Sequence, residues 1–276
     1  PQPNAQRKIT DGKEIVITGT TIDHEGVKGM VKFEGIVRIK AEGGKLAYND
    51  TSVFVRNANS ASIYISIGTN FNNYEDISGD EHKRAADHMD KAFSSSYMAI
   101  RKRHVAAYQK YFNRVSFDLA ADETIDSPTD TRLKAMKQGR TDPGLVALYY
   151  QFGRYLLISS SRPDSPLPAN LQGIWADGLT PPWDADYHIN INIQMNYWLS
   201  ELTNLSELHE PFLRFIDALR EDGKKTARDM YGLSGAVAHF TTDAWHFTET
   251  YGRPQWAMWP MGFAWSSQHL WEHYLF

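Results

Sequence analysis

The chain has 276 residues, enough for one large domain or two smaller ones. At 42% hydrophobic and 22% charged it has the composition of a globular protein, not a disordered one. A net charge of −4 offers no basic face for nucleic acid or an anionic membrane, no apolar run reaches the ~18 residues of a transmembrane helix, and the lack of cysteine removes disulfides, thiol nucleophiles and cysteine zinc sites.

Residues 13–70 read as strands. "KEIVITGTTI", "MVKFEGIVRIKAEGG", "TSVFVRNA" and "SASIYISIGTNF" alternate with period two and are broken by Gly and Asn-Asp turns. This predicts an antiparallel region belonging to a β-sandwich. From about Ser78 the pattern turns polar and helical, which predicts one or two exposed helices bridging two domains; "NRVSFDLA" then reads as a short strand.

Beyond Thr129 helices alternate with long aromatic-rich loops. Asp142 as N-cap and Pro143 in the first turn start a helix whose expected buried stripe is Leu145, Leu148, Tyr149, Phe152, Tyr155 and Leu156. A loop with five prolines follows, of a length usually kept for function. Further helices are expected from "QMNYWLSELTNL", from "EPFLRFIDALREDGKKTARDMYG" (ended by Gly232), and from "GFAWSSQHLWEHYLF". All eight tryptophans lie from Trp175 onward, suiting a large core or a cleft that stacks sugar faces. The first residues carry no initiator Met or signal pattern, and the last run stops without a C-cap. Both ends read as cut.

"DYHININIQMNYW" at 186–198 alternates isoleucine with polar residues. As extended chain it would put His188, Asn190 and Asn192 on one face and the isoleucines on the other. Amides both donate and accept, so such a face suits hydroxyl groups and water. A polar strand edge whose amides cap nearby backbone is the other reading the spacing allows.

The stretch from "LISSSRPDSPLPANLQGIW" through "DYHININIQMNYWLSELTNLSELHEP" resembles the signature of glycoside hydrolase family 95, the 1,2-α-L-fucosidases and related α-L-galactosidases. "AVAHFTTDAW" and "WPMGFAWSSQHLWEHYLF" resemble later blocks of that family in the right order, and "HVAAYQKYFNRVSFDL" resembles its linker. The resemblance implies a multidomain architecture. Residues 1–77 would be the C-terminal part of an N-terminal antiparallel β-sandwich domain, 78–127 a helical linker, and 128–276 the first part of an (α/α)6-barrel catalytic domain.

It also implies a chemistry, the inverting release of α-linked L-fucose from a fucosylated plant or host glycan. Asn190 and Asn192 would hold the attacking water, assisted by a downstream aspartate. An amide is a poor base, so it positions the water while a carboxylate supplies basicity. His188 would contact the sugar and favour fucose over L-galactose. His239, Asp243 and Trp265 would contact the sugar and Trp175 would line the cleft, with capping or core packing as the other reading of each. The general acid and the assisting aspartate would lie beyond residue 276, so the chain alone should be inactive. The expected partners are a glycan and neither nucleic acid nor membrane. The open seam of half a barrel would promote self-association, and export is consistent with action on external glycans. Asp184 and Asp186 read as turn formers supporting a loop. Phe263 departs from the family pattern, which has a second Gly there.

"HLWEH" at 269–273 fits H-x-x-E-H, an inverted zinc-peptidase motif with Glu272 as base. Two of its five positions are free and no third ligand is marked, so neither metal nor cofactor is expected. A non-catalytic carbohydrate-binding protein and a structural half-barrel paired with another chain are the remaining alternatives.

Overall fold

The computed structural model describes residues 4–10, 14–24, 26–120, 126–178 and 180–276; part of the 78–127 stretch and of the proline-rich loop therefore lies outside the described residues. The chain divides into two compact units, Pro1–Val105 and Ala106–Phe276. A β-sheet region is followed by helices.

The first unit is built on β1 (Ala5–Ile9), β2 (Ile15–Thr20), β3 (Lys32–Glu42), β4 (Lys45–Tyr48), β5 (Val53–Arg56) and β6 (Ser60–Thr69). Strands β1, β2, β3 and β6 form an antiparallel sheet in that order, and β4 pairs with β5 as a separate hairpin. Helix α1 (Glu81–Phe93) lies on one face of the sheet. Its Ala85 and Met89 are buried with Val16, Ile36 and Tyr64, so it is amphipathic instead of exposed all round. Contact is close enough that a Cβ on Gly68 would fall 2.4 Å from the Glu81 carbonyl oxygen. The face chosen in β6 is Tyr64, Ser66 and Gly68, while Ile63, Ile65 and Ile67 point outward, Ile65 being 68% exposed.

Helix α2 (Tyr97–Phe112) carries the chain into the second unit. Residues 113–120, expected as a strand, form none. Side chains hold that segment instead: Gln151 Nε2 donates to the Val115 carbonyl at 3.2 Å, and the Phe117 ring lies 4.7 Å from that of Tyr150. Then come α3 (Thr129–Lys137), α4 (Pro143–Ser160), a 3₁₀ turn at Pro182–Ala185, β7 (Tyr187–His188), α5 (Asn192–Tyr197), α6 (Leu199–Leu202), a 3₁₀ turn at Ser206–Leu208, α7 (Glu210–Tyr231), β8 (Thr241–Thr242), α8 (Pro254–Ala257) and α9 (Gly262–Leu275).

Helix α4 starts as the sequence predicts, with the Asp142 carboxylate accepting from Leu145 N–H at 2.8 Å. The same carboxylate pairs bidentately with Arg132, at 2.8 Å for each bond, and both side chains are buried. The predicted stripe of α4 is wrong, however. Leu145 is buried, but Leu148, Tyr149, Phe152, Tyr155 and Leu156 are exposed, Tyr149 by 78%. The inward face is Arg154, Leu157 and Ile158. Arg154 is fully buried because its guanidinium donates to the carbonyls of Tyr111 (2.9 Å), Phe112 (2.8 Å) and Thr203 (3.3 Å). It thereby caps the C-terminal ends of α2 and α6, where unpaired carbonyls favour a cation. Gly232, at φ 65°, ends α7 as a left-handed C-cap. The core of this unit gathers Ile189, Ile193, Tyr197, Leu205, Leu208, Phe212, Ile216 and Leu219.

Candidate active site

Three separate stretches converge in the second unit. β7 pairs antiparallel with β8, setting His188 opposite Thr241, and Ile189 N–H donates to the Phe240 carbonyl at 2.8 Å. Gly262, at the start of α9, packs against both partners. A Cβ there would lie 2.2 Å from the His239 carbonyl oxygen and 2.6 Å from Ile189 Cδ1. Fully buried Gln194 links the same pieces, donating to the Ile189 carbonyl at 2.8 Å and meeting Ser266 Oγ at 3.2 Å.

The extended conformation expected for 186–193 stops at His188. Ile189–Ile191 turn, and α5 begins at Asn192. Ile189, Ile193 and Tyr197 are all buried. They recur every four residues, so helical spacing displaces the period-two pattern. Asn190 therefore lies in a turn and Asn192 in the first turn of a helix, and strand alternation does not put them on one face. Neither amide makes a protein hydrogen bond among the described residues, and Asn190 Oδ1 is buried without a partner. Buried polar atoms are nearly always paired, so an orphan acceptor points to a water or a ligand hydroxyl.

His188 is held from behind. Its Nδ1 donates to Asp186 Oδ1, while Asp186 Oδ2 accepts from the Thr241 hydroxyl at 2.6 Å. The imidazole meets the Phe240 ring edge-on at 5.6 Å. Asp186 is thus more than a turn former: it fixes the tautomer and orientation of His188. The spacing D-x-H in extended chain would have shown this, because residues i and i+2 share a face. Just before it, Trp183, Asp184 and Ala185 have φ of 49°, 56° and 53°, three consecutive left-handed non-glycine residues. Such strain persists where surroundings impose it. Here Gln172 Nε2 donates to the Pro182 carbonyl at 3.0 Å, and Leu171 N–H donates to the Asp186 carbonyl at 2.9 Å.

The other predicted residues are placed differently. His239 is fully buried and both its nitrogens are engaged, accepting from the Tyr231 hydroxyl and donating to the Thr248 carbonyl, each at 2.7 Å. Both ring nitrogens are thus used within the protein. Asp243 accepts from Trp245 N–H at 2.8 Å and organises a turn. Trp265 is half-buried 6.0 Å from Trp259. Trp175 is exposed on the loop bonded to Pro182, its ring 6.4 Å from that of Tyr155. Phe263 packs against the core cluster.

His269 and His273 do share a face of α9, but their partner is not Glu272, which is exposed. His273 Nδ1 meets Glu201 Oε1 at 2.7 Å, and His269 Nδ1 meets His209 Nε2 at 2.8 Å. Burial pushes His269 down to about 4, and the neighbouring His209 adds to the shift.

The description "Glycosyl hydrolase family 95 catalytic domain" matches residues 96–276. The chain belongs to glycoside hydrolase family 95. It is 40% identical over 272 residues to "Alpha-L-fucosidase 2" of Arabidopsis thaliana, a match covering 94% of this chain and 32% of that protein. It is 40% identical over 186 residues to "Probable alpha-fucosidase A" of Aspergillus niger (66% of this chain, 23% of that protein). The protein of the same name in Aspergillus oryzae is 33% identical over 239 residues (79% and 32%). The chain thus spans a third or less of the length of these curated relatives.

Proposed function

We propose that the chain is the sugar-gripping part of an inverting α-L-fucosidase. Asn190 and Asn192 position the attacking water, and His188, buttressed by Asp186, contacts the sugar. The observation that carries this reading is the buried, unpartnered Oδ1 of Asn190 in the turn that follows the Asp186–His188 pair. The substrate class follows the names of the relatives, all of them fucosidases.

In an inverting step, water attacks the anomeric carbon as the bond to the leaving oxygen breaks. One carboxylic acid protonates that oxygen and a carboxylate takes the water's proton. The amides orient the water's lone pair and leave the proton transfer to carboxyl groups in later family segments, so this chain alone binds without turnover. Residues 1–77 belong to a β-sandwich whose second sheet would cover the Ile63–Ile65–Ile67 face, 78–127 to the linker, and 128–276 to the opening helices of an (α/α)6 barrel. A protein extended to the length of the relatives should release L-fucose from 2′-fucosyllactose. Release of L-galactose from an α-L-galactoside with no fucose release would overturn the role given to His188.

A further inference from the structure

A second polar centre lies away from the proposed sugar site. Glu201 on α6, His209 at the start of α7 and His273 near the end of α9 each present one ligand atom, and these atoms lie within 4.8 Å of one another. No residue of the 186–192 stretch takes part. Glu201 lies nine positions beyond Asn192 along nearly continuous helix, about 14 Å at the usual helical rise.

The hydrogen bonding of this centre is lopsided. His209 Nδ1 at 2.8 Å and His273 Nδ1 at 2.7 Å converge on the same oxygen, Glu201 Oε1. The other oxygen, Oε2, is buried and has no partner, although the Glu201 side chain is only 5% exposed. A carboxylate removed from water normally has both oxygens satisfied. His209 is fixed on every side. Its ring stacks on Tyr197 at 5.7 Å, and its Nε2 meets His269 Nδ1 at 2.8 Å. A histidine that binds metal through one nitrogen is characteristically held through the other by a hydrogen-bonding neighbour, and His269 occupies that position. His273 is the open side, with a side chain 36% exposed.

We propose that Glu201, His209 and His273 form a binding site for one divalent transition-metal ion of the zinc class, with His269 orienting His209. A donor set of two imidazoles and one carboxylate suits Zn²⁺ and leaves a fourth position for water on the His273 side. Ligands on a tetrahedral zinc stand about 3.3 Å apart, given bonds of about 2.0 Å, so the nitrogens must withdraw from Oε1 by roughly half an ångström. The half-exposed His273 has room to do so. The ion would tie α9 to the α6–α7 junction, a clamp independent of the sugar chemistry. Of H-x-x-E-H only His273 would be a ligand; the other two, Glu201 and His209, lie 60 or more residues upstream of the motif, and His269 supports His209.

The test uses the purified full chain, dialysed against chelator and titrated with zinc chloride by calorimetry. One ion should bind per chain with micromolar or tighter affinity and raise the thermal midpoint. His273→Gln and Glu201→Gln should each weaken binding at least about tenfold. Absence of one-site binding, or affinity unchanged in both variants, overturns the site. Should a variant fail to fold, Co²⁺ in the unaltered protein decides. Intense tetrahedral d–d absorption supports the site, and weak octahedral bands overturn it. Fucose release enters none of these readouts.

Discussion

Asp186 and His188 act as one unit. The carboxylate accepts a hydrogen bond from Nδ1–H of the imidazole, while its second oxygen accepts from the Thr241 hydroxyl at 2.6 Å. Two chain segments 55 residues apart thereby aim one histidine. Asp186→Asn should disturb the tautomer and leave the ring free to turn. In the extended enzyme this should lower kcat/KM about ten- to a hundredfold, because a small misplacement of a positioning group has effects of that size. A variant within a factor of two of the parent would show that Asp186 does not position His188.

Asn190→Ala and Asn192→Ala should each lower kcat on the order of a hundredfold or more with a smaller change in KM, as expected for groups acting on the water and not on the sugar. A rise in KM alone, at constant kcat, would reassign the amides to substrate binding.

Arg154→Met should cost stability without touching the site. The substitution leaves the carbonyls of Tyr111, Phe112 and Thr203 unpaired in the interior. Loss of charged hydrogen bonds of this kind costs about 3 kcal/mol, to be read from urea unfolding at constant m-value. A change below about 1 kcal/mol would show that water replaces the guanidinium at both helix ends.

Acid stability should depend on Asp142. Hydrogen bonds from Arg132 hold its carboxyl at about 2, against an ordinary 3.8. The folded value lies below the unfolded one, so the stabilisation is complete above about pH 4 and drains away as pH falls towards 2. Glu207, bonded to Arg114 and also held at about 2, contributes in the same window. Thermal midpoints taken between pH 5 and pH 2 should fall less steeply for Asp142→Asn than for the parent, from a lower starting value. Equal slopes would contradict the pairing.

Local signals were the readable ones. Asp142 and Pro143 announced α4, Gly232 announced the end of α7, and the strands β2, β3, β5 and β6 were visible in their alternation. Strand β1 was not, because "AQRKI" is largely polar and gains its place only by pairing with β2. Burial direction was harder to read. Helix α4 is apolar around most of its surface, so periodicity could not tell that buried Arg154 marks the inner face. In "HININIQ" two periods compete, and the four-residue recurrence of Ile189, Ile193 and Tyr197 wins because Gln194 ties the turn from within. For His239 the sequence left sugar contact and packing both open, because its partners Tyr231 and Thr248 lie on flanking segments that no motif links.

Whether Asn190 and Asn192 hold the attacking water is decided by the stereochemistry of the first product. The extended enzyme would be mixed with 2′-fucosyllactose and the first-formed anomer followed by proton NMR before mutarotation. β-L-Fucose should appear first, from water held on the face opposite the leaving group. Early α-L-fucose would mean retention through a covalent intermediate, and would contradict the role given to Asn190 and Asn192.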